Sequence, residues 1–141
     1  MLAAAIACLD VTLGEVLAAA PIIDSAPVGP SLRRYANSAV LLRTWHAPCA
    51  LLGELKATER AFGRIAGGQR WGARVLDLDI ILWDGGPYTS RALTIPHQAF
   101  RDRAFVLAPA AAIAPTWRDP LTRLTLRQLH ARLTRRRTLP R

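Results

Sequence analysis

Disulfide chemistry has almost nothing to work with in this chain: its 141 residues include two cysteines, Cys8 and Cys49, with no Cys-x-x-Cys spacing. Isolated thiols fit a reducing compartment and argue against a disulfide scaffold or a cysteine-ligated zinc site. Three signatures of nucleotide and acyl chemistry are missing too. The chain has no Gly-x-x-x-x-Gly-Lys-Ser/Thr, no Gly-x-Gly-x-x-Gly after a strand pattern and no Gly-x-Ser-x-Gly. Any ATP chemistry must then proceed without a P-loop. The apolar opening, residues 1–9, stops at Asp10, too soon for a bilayer span, and carries no basic leader. The expected compartment is the cytoplasm, without membrane association.

Acidic residues are absent from residues 121–141, which carry seven arginines. The rest of the chain is nearly balanced, twelve basic groups against ten acidic, so the formal net charge of +9 belongs to the C-terminal end. Such a run can contact RNA, DNA or an anionic membrane through phosphates. The plainer reading is a solvated helix face followed by a loose tail over residues 131–141. No aromatic residues interleave with the arginines to stack bases, so nucleic acid is not an expected partner. At this length, with 51% hydrophobic residues, the chain is expected to form one domain with a proper core.

Leu2, Ile6 and Leu9 recur at helical spacing over residues 2–9. Residues 21–30 hold three prolines and a glycine, and read as a short strand at Ile22 and Ile23 entering a proline-shaped loop. Residues 36–45 read as a strand apolar on both faces, with Ala39, Leu41 and Trp45 opposing Val40 and Leu42, which suits the middle of a covered sheet. The clearest helix is 48–65, with Pro48 in its first turn and Leu51, Leu52, Leu55, Phe62 and Ile65 as its core stripe. Residues 75–83 form the strongest strand pattern, ended by the turn Asp84-Gly85-Gly86-Pro87. A short return strand follows at 88–94, then helices at 99–112 and 126–133, the last capped by Thr122 or Thr125. This order predicts an α+β fold, one sheet layer under helical cover.

The most informative stretch is Arg70-Trp71-Gly72-Ala73-Arg74-Val75-Leu76-Asp77-Leu78-Asp79-Ile80. On an extended chain Asp77 and Asp79 project together while Leu76, Leu78, Ile80 and Leu82 project the other way. Two adjacent carboxylates repel unless a cation separates them, and oxygen-only ligation suits magnesium. Arg70 and Arg74 beside them fit a polyphosphate gripped by metal and guanidinium. The alternative is an edge strand whose acids face water and pair with nearby arginines. Glu59 falls on the core stripe of its helix or at its rim. There it needs a partner, a metal-bound water or a substrate, or else it pairs with a local lysine or arginine.

Taken with Leu93-Thr94-Ile95-Pro96-His97 and Arg103-Ala104-Phe105-Val106-Leu107-Ala108-Pro109, this stretch resembles the 6-hydroxymethyl-7,8-dihydropterin pyrophosphokinases of folate biosynthesis. Their signature is Trp-Gly-Pro-Arg-x-Leu-Asp-Leu-Asp with a later Pro-His. Upstream, Arg34-Tyr35-Ala36-Asn37-Ser38-Ala39-Val40 resembles the family's Tyr-x-Asn-x-Ala-Val, and Ala26-Pro27-Val28-Gly29 its pterin-side loop. The resemblance covers residues 1–130 and implies a ferredoxin-like, mixed or antiparallel sheet covered by helices in three layers. It implies transfer of pyrophosphate from ATP to 6-hydroxymethyl-7,8-dihydropterin, with two Mg²⁺ ions and ATP as co-substrate, and no stable protein partner.

By the same resemblance Asp77 and Asp79 hold the metals, and Arg64 and Arg74 join them in catalysis. Asn37, Tyr35, Trp71, Phe105 and Val28 form the pterin site, Trp71 and Phe105 sandwiching the ring. Lys56, Glu59, Arg70, Arg74, Ile80, His97 and Arg103 meet the nucleotide. Without the resemblance, Trp71 could equally be a core tryptophan, His97 a surface or helix-cap histidine, and Asn37 a turn residue. The chain departs from the family pattern at Ala73, at Ala66 (commonly arginine), at Gln98 (often aromatic) and at Ile23-Asp24-Ser25-Ala26 (usually Tyr-Arg-Thr-Pro). The family's first strand and Gly-Ser-Asn loop have no counterpart, so the expected fold is N-terminally incomplete, with an unpaired sheet edge. A weak or inactive family member retained for binding, or a small basic nucleic-acid-binding domain, are the competing readings.

Overall fold

The computed structural model describes residues 1–25, 35–65 and 76–138; Val28, Arg70, Trp71 and Arg74 lie outside them. Alanine, the strongest helix former, dominates helix α1, Leu2–Thr12, which turns Ala5 and Leu9 inward. The chain then reverses at Gly14, where a Cβ would overlap the carbonyl oxygen of Arg43. Only glycine permits that approach. Two side chains tie the reversal: the Val16 amide donates to Asp10 at 2.8 Å, and the Thr44 hydroxyl donates to the Leu13 carbonyl at 2.7 Å.

Strand β1, Glu15–Ala19, follows and pairs antiparallel with β4, Val40–Arg43, with a register shift between Val16 and Ala18. No strand signal is legible there, because an alanine-rich segment has little strand propensity of its own. Pairing with β4 supplies it. Strand β2, Ile23–Ser25, pairs antiparallel with β3, Tyr35–Asn37. The single strand expected over 36–45 is thus two, broken at Ser38, whose hydroxyl donates to the Ala20 carbonyl. Helix α2, Pro48–Ile65, has the expected bounds. A hairpin of β5, Tyr88–Thr89, and β6, Thr94–Ile95, replaces the expected return strand. The helix expected at 99–112 is a 3₁₀ turn, Phe100–Asp102, then α3, Ala104–Ile113, because Arg103 between them is extended. Helix α4, Leu126–Thr138, begins with a reciprocal cap: the Gln128 amide donates to the Thr125 hydroxyl, and the Thr125 amide to the Gln128 side chain.

The strongest expected strand is corrected. Residues 76–83 run through the centre of the fold but enter no ladder among the described residues. Their backbone goes elsewhere: the Leu78 amide donates to Glu59, and the Ile81 carbonyl accepts from the His97 amide at 3.0 Å. Their side chains serve two cores. Leu78 and Ile80 pack with Leu9, Leu13, Leu51 and Leu55 of the α1–α2 side. Ile81 and Leu82 pack with Phe100, Leu107, Leu126 and Leu129 of the α3–α4 side. The observed class is α+β, small antiparallel pairs and helices about this extended segment.

One buried ion pair closes the α3–α4 side. Asp119, fully buried, receives Arg101 Nε at 2.5 Å and Nη2 at 2.8 Å, the Leu121 amide at 3.0 Å and the Thr122 hydroxyl at 2.8 Å. Burial alone would raise its carboxyl, but the Arg101 fork, then the Leu121 and Thr122 bonds, hold it at about 2 against an ordinary 3.8. A depressed folded-state pKa contributes stability that is complete above the unfolded value and disappears as pH falls through the folded one. This carboxylate should therefore contribute about 2 kcal/mol above pH 4, lost progressively towards pH 2. Thermal melts of the wild type and Asp119→Asn from pH 5 to pH 2 check this, the gap between the two narrowing as the pH falls.

Candidate active site

The alternation of residues 76–80 is visible in their burial: Leu76 is buried, Leu78 and Ile80 are half-buried, and Asp77 and Asp79 are exposed. The aliphatic side chains anchor the segment and leave both carboxylates outward. Asp77 has no bonded partner among the described residues, whereas Asp79 Oδ2 lies 3.9 Å from His97 Nε2. The His97 ring is oriented from its other side, where Nδ1 accepts the Ala99 amide at 3.2 Å. An accepting Nδ1 places the ring proton of the neutral imidazole on Nε2, facing Asp79. His97, expected to meet the nucleotide or else to be a surface or helix-cap histidine, is thus held with a donor turned towards Asp79.

Glu59 approaches from α2 with its side chain mostly buried. Its Oε2 accepts the Leu78 amide at 2.6 Å, and its Oε1 lies 3.3 Å from Lys56 Nζ. Of the possibilities left open by the sequence, the local lysine pairing is the one observed, together with a backbone bond that spacing could not reveal. Glu59 grips the peptide between the two aspartates. Ile80 was expected to offer backbone and apolar contacts to a nucleotide; its side chain packs in the α1–α2 core.

The remaining expected residues fall in separate groups. Tyr35 and Asn37, two apart on β3, share a face of the strand, opposite Ser25 and Ile23 of β2. Phe105, in the first turn of α3, is 43% exposed despite its apolar neighbours in sequence, with the Arg103 guanidinium 5.8 Å from its ring centroid. An exposed aromatic beside a cation is available to a flat ligand. Arg64 stands exposed in the last turn of α2.

Residues 1–115 match the sequence profile described as 7,8-dihydro-6-hydroxymethylpterin-pyrophosphokinase (HPPK). The chain belongs to this family. It is similar to the 2-amino-4-hydroxy-6-hydroxymethyldihydropteridine pyrophosphokinase of Synechocystis sp., 44% identical over 105 residues, which are 74% of this chain and 53% of that protein. It is similar to the protein of the same name from Pseudomonas aeruginosa, 41% identical over 107 residues, 75% of this chain and 65% of that one. The counterpart from Methylorubrum extorquens is 41% identical over 81 residues, 57% of this chain and 51% of the relative. The chain therefore spans between about half and two thirds of the length of these relatives.

Family membership implies magnesium, and the donor set fits it. Magnesium is commonly held by one or two carboxylates and completed by water and substrate phosphates. Asp77 and Asp79 are two exposed carboxylates on one side of an anchored segment. Among the described residues no group of three or more His, Cys, Asp or Glu side chains converges, so this segment offers a carboxylate pair rather than a closed cage.

The Glu59 bond has a measurable consequence. In Glu59→Ala the Leu78 amide loses its partner in a half-buried place, and stability should fall by about 1–3 kcal/mol. Lys56→Ala, which removes a half-exposed cation and leaves the amide bond intact, should change it by less than about 1 kcal/mol. Urea denaturation midpoints of the two variants decide between a surface ion pair and a backbone clamp.

Proposed function

We propose that this chain transfers pyrophosphate from ATP to 6-hydroxymethyl-7,8-dihydropterin, giving AMP and the pterin diphosphate. The observation that carries the reading is the exposed Asp77–Asp79 pair, held on a segment that two cores and Glu59 immobilise. The names of the family and of its relatives supply the pterin and the group transferred. In the reaction, the hydroxymethyl oxygen bonds to the β-phosphorus as the bond from that phosphorus to the α-phosphate bridging oxygen breaks. The hydroxymethyl proton departs and AMP carries away the bridging oxygen. No covalent enzyme intermediate is required, so alignment and charge compensation dominate.

Asp77 and Asp79 would hold two magnesium ions, which supply positive charge to the ATP phosphates. The Nε2–H of His97 faces Asp79 and serves as a donor to a phosphate oxygen. Arg64, Arg70, Arg74 and Arg103 add positive charge, with Lys56, Glu59 and the Ile80 backbone on the nucleotide side. Tyr35, Asn37, Val28, Trp71 and Phe105 make the pterin pocket, Trp71 and Phe105 taking the two faces of the ring. We read the antiparallel pairs as parts of one ferredoxin-like sheet, with α1–α2 and α3–α4 as its outer layers. Residues 1–130 are the pyrophosphokinase-like domain and 131–141 a basic extension. No helix among the described residues is long and apolar enough to cross a membrane. The reading places the enzyme in the cytoplasm with no membrane, nucleic-acid or stable protein partner.

Asp77→Asn and Asp79→Asn test it. Each should lower pterin-dependent AMP formation by about 100-fold or more, the scale of several kcal/mol of charge stabilisation. Their melts should hold or rise, because both groups are exposed and removing one relieves like-charge repulsion. Turnover close to wild type in either variant would remove the aspartates from the reaction.

The aromatic pair gives a second test. Phe105→Ala and Trp71→Ala should each weaken pterin binding by about 1–3 kcal/mol, the scale of a base stacked on an aromatic ring. Because Phe105 is exposed, its truncation should shift stability by no more than about 0.5 kcal/mol. Calorimetric titration with pterin in the presence of an unreactive ATP analogue, alongside a melt, measures both quantities.

A further inference from the structure

We infer that Arg101 and Asp119 are positioning residues for the proposed phosphoryl transfer, orienting the segment that carries His97 and Arg103. The inference rests on the pyrophosphokinase reading and deepens it. His97 and Arg103 bracket a stretch whose internal backbone–backbone bonds are local and long. The Phe100 amide reaches the His97 carbonyl at 3.5 Å, Asp102 reaches Ala99 at 3.4 Å, and Arg103 reaches Phe100 at 3.4 Å. Bonds of that length constrain orientation weakly. The middle of the stretch carries two stronger anchors. Phe100 is fully buried in the α3–α4 core, and Arg101 makes its two-pronged bond to Asp119, 18 residues away.

The two anchors do different jobs. An apolar side chain in a core sets how deeply the backbone sits but leaves rotation about the chain poorly defined. A planar guanidinium bound through two nitrogens defines direction as well as distance. The Arg101 guanidinium also lies 4.7 Å from the Phe100 ring centroid, so depth and direction are coupled. Asp119 is itself immobilised. Besides the Leu121 and Thr122 bonds to its carboxylate, its amide donates to the Leu124 carbonyl at 2.8 Å and its carbonyl accepts from Arg123 at 2.7 Å. A buried ion pair adds little net stability over a well-packed apolar pair. Its distinct contribution here is geometric, at the centre of the stretch between two groups expected to meet the same phosphates.

The test uses Arg101→Lys, which keeps the charge and loses the fork, Asp119→Asn, and the apolar double variant Arg101→Met with Asp119→Leu. All are assayed below their melting temperatures, against ATP and pterin separately, and the His97 ring is followed by NMR. Misplacement of about 1 Å can cost as much as 100-fold, so kcat/KM for ATP should fall at least roughly tenfold in every variant, the melt-neutral double included. Pterin affinity should stay within about twofold, because Phe105 sits on α3, which Leu107 seats in the core without use of the Arg101 fork. The His97 ring resonances should move in each variant. If the wild type forms AMP and the variants keep its kcat/KM for ATP, or lose both substrates in step with the unfolded fraction, the inference is overturned. If the wild type forms no AMP, the proposed activity falls, and the inference is judged by the His97 resonances alone: unmoved signals overturn the positioning role and shifted ones support it.

Discussion

The hydrogen bond from the Leu78 amide to Glu59 is the contact on which the arrangement of the site depends. Residues 76–83 are extended but have no ladder among the described residues to hold their register. A buried or half-buried amide without a partner is expensive, and a helix carboxylate meets that need at the peptide between the two aspartates. With this peptide fixed, alternation does the rest. The flanking aliphatic side chains turn into the cores, and both carboxylates turn out.

Two packing regions flank that segment, and each delivers a different part of the site. The α1–α2 side brings Glu59 and Lys56 to the carboxylate-bearing peptide and seats Leu78 and Ile80. The α3–α4 side seats Ile81 and Leu82 and fixes the turn from which His97 and Arg103 emerge. The backbone bond between His97 and Ile81 couples the two. The groups around the two carboxylates are thus borrowed from helices and turns, while the segment itself contributes the aspartates and apolar anchors. This division suits phosphoryl transfer, where little covalent work falls to the protein and relative placement dominates.

Local pattern made much of this legible. Helix 48–65 was readable to its ends because Pro48 and an apolar stripe at helical spacing agree, and residues 76–80 were readable as an anchored carboxylate pair because acid and aliphatic residues alternate. Other features were not. Strand β1 is alanine-rich and becomes a strand by pairing with β4, a contact between residues distant in sequence. The 3₁₀ turn before α3 shares the helical spacing of the apolar residues that follow it, Phe100 standing in register with Ala104 and Leu107, and nothing local announces that Arg103 is extended. Phe105 stands within the same run and is nonetheless exposed, because burial depends on which side of α3 meets α4.

By itself, the sequence determined the identity and alternation of the chemical groups: two carboxylates two residues apart, an arginine-rich surround, a histidine after proline and two aromatic rings, Trp71 and Phe105. Those follow from residue type and from the two-residue period of an extended chain. Tertiary structure alone decided which groups meet. Glu59 lies 19 residues from Leu78, His97 lies 18 from Asp79, and Arg101 lies 18 from Asp119. At such separations neither spacing nor propensity says which side chain finds which partner. Burial decides it, because each polar group withdrawn from water must bond to whatever the packing of the two cores brings within reach.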